Sequence, residues 1–186
     1  MNKTKKIVLT GMMAAVISVL SILQIPTPTG VPITLQTFAM ALAGYALGTG
    51  LGTASTAIYL LIGLIGIPVY AGFQSGPAVL FGPTGGFIFG FVVLAALTGL
   101  SVRCKKGKKG FAISIITGIL GLAVVYVLGA AQYAVIAGIS FARSFALVAL
   151  PFTVKDVLSV IAADLAGAAL RTALSKASLM EYKKAE

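Results

Sequence analysis

Residues 7–102 contain no charged side chain, and in that stretch apolar runs alternate with short patches of Pro, Gly, Thr and Gln. Apolar runs of about 18 residues or more read as membrane spans, and the patches mark where each run must stop. The first span, residues 7–24, ends in QIPTPTG, where Pro26 and Pro28 cannot continue a helix. A second span at 33–47 closes on GTGLG, a glycine turn at 48–52, and a third occupies 51–66. The uncharged segment IPVYAGFQSGPAVLFGPTGG then leads into a fourth span at 85–102. The second half predicts a long helix at 111–137, a connection at 138–152 carrying Arg143, and a sixth span at 153–175.

Composition makes this a membrane protein rather than a soluble domain with a greasy core. Of 186 residues, 59% are hydrophobic and only 10% charged, and the mean hydropathy is +1.06. So few charges cannot cover a water-facing surface. The hydrophobicity never stops, which excludes a signal peptide followed by a soluble domain. The expectation is a single all-α integral membrane domain over residues 1–186, multi-pass in the lipid bilayer.

The net charge of +10 changes the picture only through its placement. Basic residues cluster at Lys3, Lys5 and Lys6, at Arg103 to Lys109, and from Arg171 to Lys184. No basic stripe interleaved with aromatics appears, so nucleic-acid binding is not expected. Positive-inside topology explains the clusters instead. Six helices with both termini cytoplasmic leave only Arg143 and Lys155, of fourteen basic residues, on the outer side. Cys104 stands alone in the basic loop, a thiol at the cytoplasmic face with no disulfide or metal pair to join.

In that topology the non-apolar chemistry gathers in three outer segments. VPITLQT carries Thr34, Gln36 and Thr37, whose hydroxyls and amide serve either ligand contact or helix capping and interhelical bonding. GPTGG places Thr84, Gly85 and Gly86 at the start of span four. Free N–H groups there suit a carboxylate, whereas Pro83 and Thr84 as caps with packing glycines is the favoured structural alternative. Lys155 and Asp156 are adjacent opposite charges near the membrane, where ionisable residues are functional candidates. The alternative is an interfacial pair, Lys155 snorkelling and Asp156 stabilising a helix start. Asp164, deeper in span six, faces either a polar cavity or a neighbouring helix. Gly11 and Ala15, and likewise Thr10 and Ala14, form small-residue faces that allow close helix approach, to a partner subunit or within the bundle.

With no His, one Cys and four acids, acid–base and metal chemistry have few candidates, so neither enzyme activity nor a metal or cofactor is expected. No phosphate-binding loop is present, so the chain cannot hydrolyse ATP itself.

VPITLQT, GLIGIPVYAG, FGPTGGFIFGF and LPFTVKDVL occur in an order and at spacings similar to those of the BioY family. The resemblance covers roughly residues 7 to 175, and VPITLQT together with GPTGG is its specific part. It implies the biotin-specific S component of an energy-coupling factor (ECF) transporter, a six-helix protein of the prokaryotic cytoplasmic membrane that binds biotin from outside. It further implies a transmembrane coupling subunit and two ATPase subunits as partners, with Gly11 and Ala15 on a face that docks the coupling subunit. A solitary transporter of biotin or a related vitamin, working without an ATPase, is the competing reading.

The resemblance also implies roles at the site. Asp156 accepts the ureido N–H groups of biotin, and Thr34, Gln36 or Gln74 donates to its carbonyl. Tyr70, Phe73 and Phe87 pack ring and chain, and Lys155 or the amides of Gly85 and Gly86 hold the carboxylate. The chain departs from the family pattern at two places. Val154-Lys155-Asp156 replaces a common Pro-Gly-Asp, with neutral Ser159 where a basic residue is usual, and Phe87 replaces a common Tyr. These leave Lys155 or Arg143 as the cation for the carboxylate.

Overall fold

A computed structural model describes residues 1–103 and 107–180; Cys104, Lys105 and Lys106 of the basic loop and Lys183 and Lys184 of the tail lie outside the described residues. The fold is helical: α1 (Lys3–Ile22), α2 (Gln36–Leu64), α3 (Pro77–Leu80), α4 (Gly85–Leu100), α5 (Lys108–Ala137), α6 (Phe141–Val148) and α7 (Thr153–Lys176). Short 3-10 turns lie at Ala71–Phe73, Ser101–Arg103 and Leu150–Phe152. Among the described residues, four helical stretches are long and apolar enough to cross a membrane: Lys3–Ile22, Gln36–Leu64, Lys108–Ala137 and Phe141–Lys176.

The second of these is two antiparallel arms. Gly48 has φ 79° and ψ 172°, a conformation essentially restricted to glycine, and the chain reverses there. A Cβ on Gly52 would lie 2.5 Å from the Ala43 carbonyl oxygen, which a straight helix would put far out of reach. The glycine turn expected at 48–52 is therefore present, between arms 36–47 and 49–64.

The 36–47 arm is the centre of the bundle. At about 1.5 Å per residue it is only about 18 Å long, too short for a hydrocarbon core of about 30 Å. Residues 39–47 are all buried, so the arm sits inside protein. Its small residues allow the close approach that burial on every side requires. A Cβ on Gly44 would lie 2.4 Å from the Ala95 carbonyl of α4, and one on Gly167 of α7 would lie 2.7 Å from Tyr45 Cβ.

Several boundaries and one connection differ from expectation: the third and fourth spans end at Leu64 and Leu100 rather than at 66 and 102, and the fifth begins at Lys108 rather than at 111. The second span begins at Gln36, not at residue 33, because Ile33–Thr34 (β2) pairs antiparallel with Gln24–Ile25 (β1). That ribbon also ends α1 at Ile22 rather than at residue 24. The 138–152 connection contains α6, capped by Ser140 Oγ, which accepts from the Arg143 amide.

The bundle has two distinct ends. At one, Lys5 Nζ donates to the Ser178 carbonyl at 2.7 Å, and a Cβ on Gly48 would meet Val102 Cγ1 at 4.0 Å. Arg171 donates to the Tyr45 carbonyl, an acceptor left over as its arm ends at Gly48. Asp164 belongs to this half: it is 6% exposed, among Ser114, Tyr45 and Arg171. At the opposite end lie the β-ribbon, α3, α6 and the first turn of α7.

Candidate functional site

The opposite end encloses a cavity of about 250 Å³. Its rim comes from the 23–35 connection, which is tied down in three ways. Thr27 Oγ1 donates to the Val31 carbonyl at 2.7 Å, Gly30 turns at φ 78°, and Tyr133 of α5 donates to the Thr29 carbonyl at 3.0 Å. The 65–84 connection supplies the second wall. There the Tyr70 hydroxyl donates to the Leu60 carbonyl at 2.6 Å, and its ring fits against Gly63, where a Cβ would lie 2.2 Å from the ring. Burial, with Tyr59 close by, pushes the Tyr70 hydroxyl up to about 12, so it remains a donor.

Polar groups face an apolar wall in this chamber. Thr34 Oγ1 donates to Gln36 Oε1 at 3.1 Å, and Gln36 Nε2 donates to the Tyr59 hydroxyl at 2.9 Å. Thr37 lines the wall beside them, 3% exposed. Asp156, 5% exposed, receives the Tyr126 hydroxyl on Oδ2 at 2.8 Å and pairs through Oδ1 with the Lys155 ammonium. Lys155 Nζ also donates to the Thr34 carbonyl at 3.0 Å, so one cation joins the start of α7 to the rim. The apolar wall comes from Phe87, Ile88 and Phe91 of α4, Val125 of α5, Val148 and Phe152.

The three outer segments of the sequence therefore meet. Thr34, Gln36, Tyr70, Gln74, Thr84, Phe87, Lys155 and Asp156 all line the one cavity. Gly85 and Gly86 do not. The Gly85 amide already donates to the Gly82 carbonyl at 3.2 Å, and a Cβ on Gly86 would lie 2.2 Å from the Leu128 carbonyl oxygen of α5. Their geometry is that of close helix packing. Phe73 is 70% exposed and off the lining, turned out by a positive φ of 60°. Arg143 is exposed on α6 and Asp164 is remote, and neither lines the cavity.

Sequence reasoning missed the groups on α5. Tyr126 lines the cavity, and Gln132 Nε2 donates to the Leu80 and Gly82 carbonyls at 2.8 and 2.7 Å, holding the GPTGG turn. The available signal was their polarity in an apolar span: Tyr126 and Tyr133 are two turns apart and share a helix face.

On α1, Thr10 and Ala14 are buried while Gly11 and Ala15 are exposed. The first pair packs inward, and a Cβ on Gly11 would meet nothing within 4 Å among the described residues.

A model of the BioY family matches residues 1–176. The chain belongs to the BioY family. Over 162 residues it is 39% identical to a probable biotin transporter BioY of Pyrococcus horikoshii, covering 87% of this chain and 93% of that one. It is 36% identical over 176 residues to the biotin transporter BioY2 of Lactococcus lactis subsp. cremoris, covering 94% of each. Among solved structures, the S component for biotin from an ECF-type ABC transporter matches with a TM-score of 0.82 at 29% identity, covering 91% of this chain and 92% of that one.

Proposed function

We propose that this chain is the biotin-capturing S component of an ECF-type importer. One observation carries the reading: a small, largely apolar cavity presents a buried carboxylate, Asp156, beside a cation, Lys155. Biotin has the complementary parts, a ureido group with N–H donors, an apolar bicycle and a chain ending in a carboxylate. A chamber of about 250 Å³ is near the small end of ligand pockets, about 300–1,000 Å³, in keeping with a vitamin-sized ligand.

In this reading Asp156 accepts from the ureido group, and Phe87, Tyr70 and the apolar wall receive the ring and chain. Lys155 exchanges its bond to Asp156 for the ligand carboxylate. Thr34, Thr84 and Gln74 offer hydroxyl and amide groups to the remaining acceptors, while the Gln36 amide stays with Tyr59. The engagement of Gly85 in its own turn favours Lys155 over the glycine amides as carboxylate partner.

Capture is not an enzymatic step, and the energy for import comes from elsewhere. A transmembrane coupling subunit and two ATPase subunits are the partners, with the exposed Gly11–Ala15 face of α1 as the docking surface. Support comes from the open space over Gly11. Six crossings, with both termini and the basic end cytoplasmic and the cavity outside, fit the shared position of Lys5 and Ser178.

The test is equilibrium binding of radiolabelled biotin to the detergent-purified chain, competed by dethiobiotin and by thiamine. Saturable binding displaced by biotin and not by thiamine is expected; well-folded protein that binds no biotin would overturn the reading. Uptake by cells lacking ECF coupling and ATPase subunits separates a dependent S component, which should import nothing, from a solitary transporter.

A further inference from the structure

Tyr126 lies midway along α5, 7% exposed. Its hydroxyl donates to Asp156 Oδ2 at 2.8 Å. Its ring packs edge-on against Phe145 of α6, with centroids 6.4 Å apart and planes at 86°. Helix α6 is in turn fastened to α5, since Ser144 Oγ donates to the Ala130 carbonyl at 2.7 Å. Helix α6 thus buttresses the ring whose hydroxyl holds Oδ2. The other, Oδ1, is buried and accepts no hydrogen bond among the described residues; it has only its ion pair with Lys155.

A carboxyl group on a single Cβ rotates freely unless something holds it, and hydrogen bonds weaken steeply with misalignment. The phenol supplies that hold. The two N–H bonds of a five-membered cyclic urea flank its carbonyl and diverge, so one carboxylate cannot receive both in line.

We infer that Tyr126 is the positioning residue for Asp156, fixing its carboxylate so that Oδ1 receives one ring N–H of the ligand. The inference rests on the biotin reading above and sharpens it, since the second ring N–H must find an acceptor other than Asp156. Without the phenol hydroxyl only the Lys155 ion pair holds the carboxylate, and in the biotin reading that pair is given up to the ligand's own carboxylate.

The experiment measures biotin affinity for wild type, Tyr126→Phe, Asp156→Asn and the double variant, each checked for a monodisperse, cooperatively melting sample. Losing a hydrogen bond to a charged group should weaken binding by about tenfold or more in Tyr126→Phe. The same change made in Asp156→Asn should then alter affinity by less than about twofold, because its effect passes through the carboxylate. A merely structural role would add its full penalty in both backgrounds and would overturn the inference, as would unchanged affinity in Tyr126→Phe.

Biotins methylated on either ring nitrogen give a second readout, usable even where Asp156→Asn binds too weakly to measure. Methylation at one nitrogen should cost wild type strongly and Tyr126→Phe much less; equal penalties in the two proteins would overturn the inference. Should Tyr126→Phe misfold, Phe145→Leu loosens the ring while keeping the hydroxyl. It should reproduce a smaller version of the same pattern, and its absence counts against the inference. Wild type that binds no biotin sinks the functional reading and this inference with it, whereas wild-type binding with an indifferent Tyr126→Phe sinks this inference alone.

Discussion

Gln36 Nε2 donates to the Tyr59 hydroxyl at 2.9 Å, across a stretch that a straight helix would extend to about 34 Å at 1.5 Å per residue. The bond closes the hairpin of α2 at the cavity end, opposite the Gly48 turn. Both residues are buried, at 7% and 0% exposure, so neither has water to fall back on. Tyr59→Phe should leave the Gln36 amide donor unsatisfied and cost about 1–3 kcal/mol of stability. Thermal unfolding in detergent measures it. Adding Gln36→Leu removes that orphan but takes the acceptor from the buried Thr34 hydroxyl, so the double variant should stay less stable than wild type.

The other end of the hairpin gives a separable prediction. Gly48 adopts φ 79°, ψ 172°, so Gly48→Ala should destabilise the fold by about 1–3 kcal/mol through backbone strain. The turn lies at the far end of the arm from Gln36, so biotin affinity of the folded fraction should stay within about twofold of wild type. Parallel melting and binding curves check both halves.

Arg171 donates to the Tyr45 carbonyl and lies near buried Asp164. Arg171→Met removes a cap and a countercharge together. Unfolding should occur earlier, by about 1–3 kcal/mol. Asp164→Asn in the same chain should restore part of it, because a neutral amide no longer needs the cation. Additive losses in the double variant would show that the two residues act separately.

Two small-residue positions should behave oppositely. Gly86→Ala drives a Cβ to 2.2 Å from the Leu128 carbonyl oxygen, forcing α4 from α5 at a cost of about 1–3 kcal/mol or more. Gly11→Leu enters open space and should leave melting and biotin binding unchanged. It should instead reduce co-purification with the coupling subunit, which pull-down from a co-expressing strain measures.

Lys155 bridges Asp156 and the Thr34 carbonyl. Lys155→Met should weaken biotin by about tenfold and biotinamide, which lacks the carboxylate, much less. Equal losses for the two ligands would assign Lys155 to the rim rather than to the carboxylate.

Hydropathy and turn residues alone establish the membrane class, the apolar runs and the breaks between them. Charge scarcity and prolines act locally, through solvation and backbone geometry, and need no partner to be read. The glycine turn at 48–52 and the grouping of VPITLQT, GPTGG and Lys155–Asp156 at one end follow from such local signals plus the parity of crossings. Which polar atoms meet depends on how the helices pack. Helix α5 is apolar on most faces, so Tyr126 and Tyr133 give its rotational phase only weakly, and nothing in AVVYVLG says that Tyr126 meets Asp156. Glycines carry the same ambiguity: Gly86 and Gly11 read alike as small residues. Only the neighbouring backbone, 2.2 Å away in one case and absent in the other, makes one a packing site and the other an open face. Packing partners distant in sequence set these differences, because a bundle chooses among helix rotations by shape rather than by hydropathy.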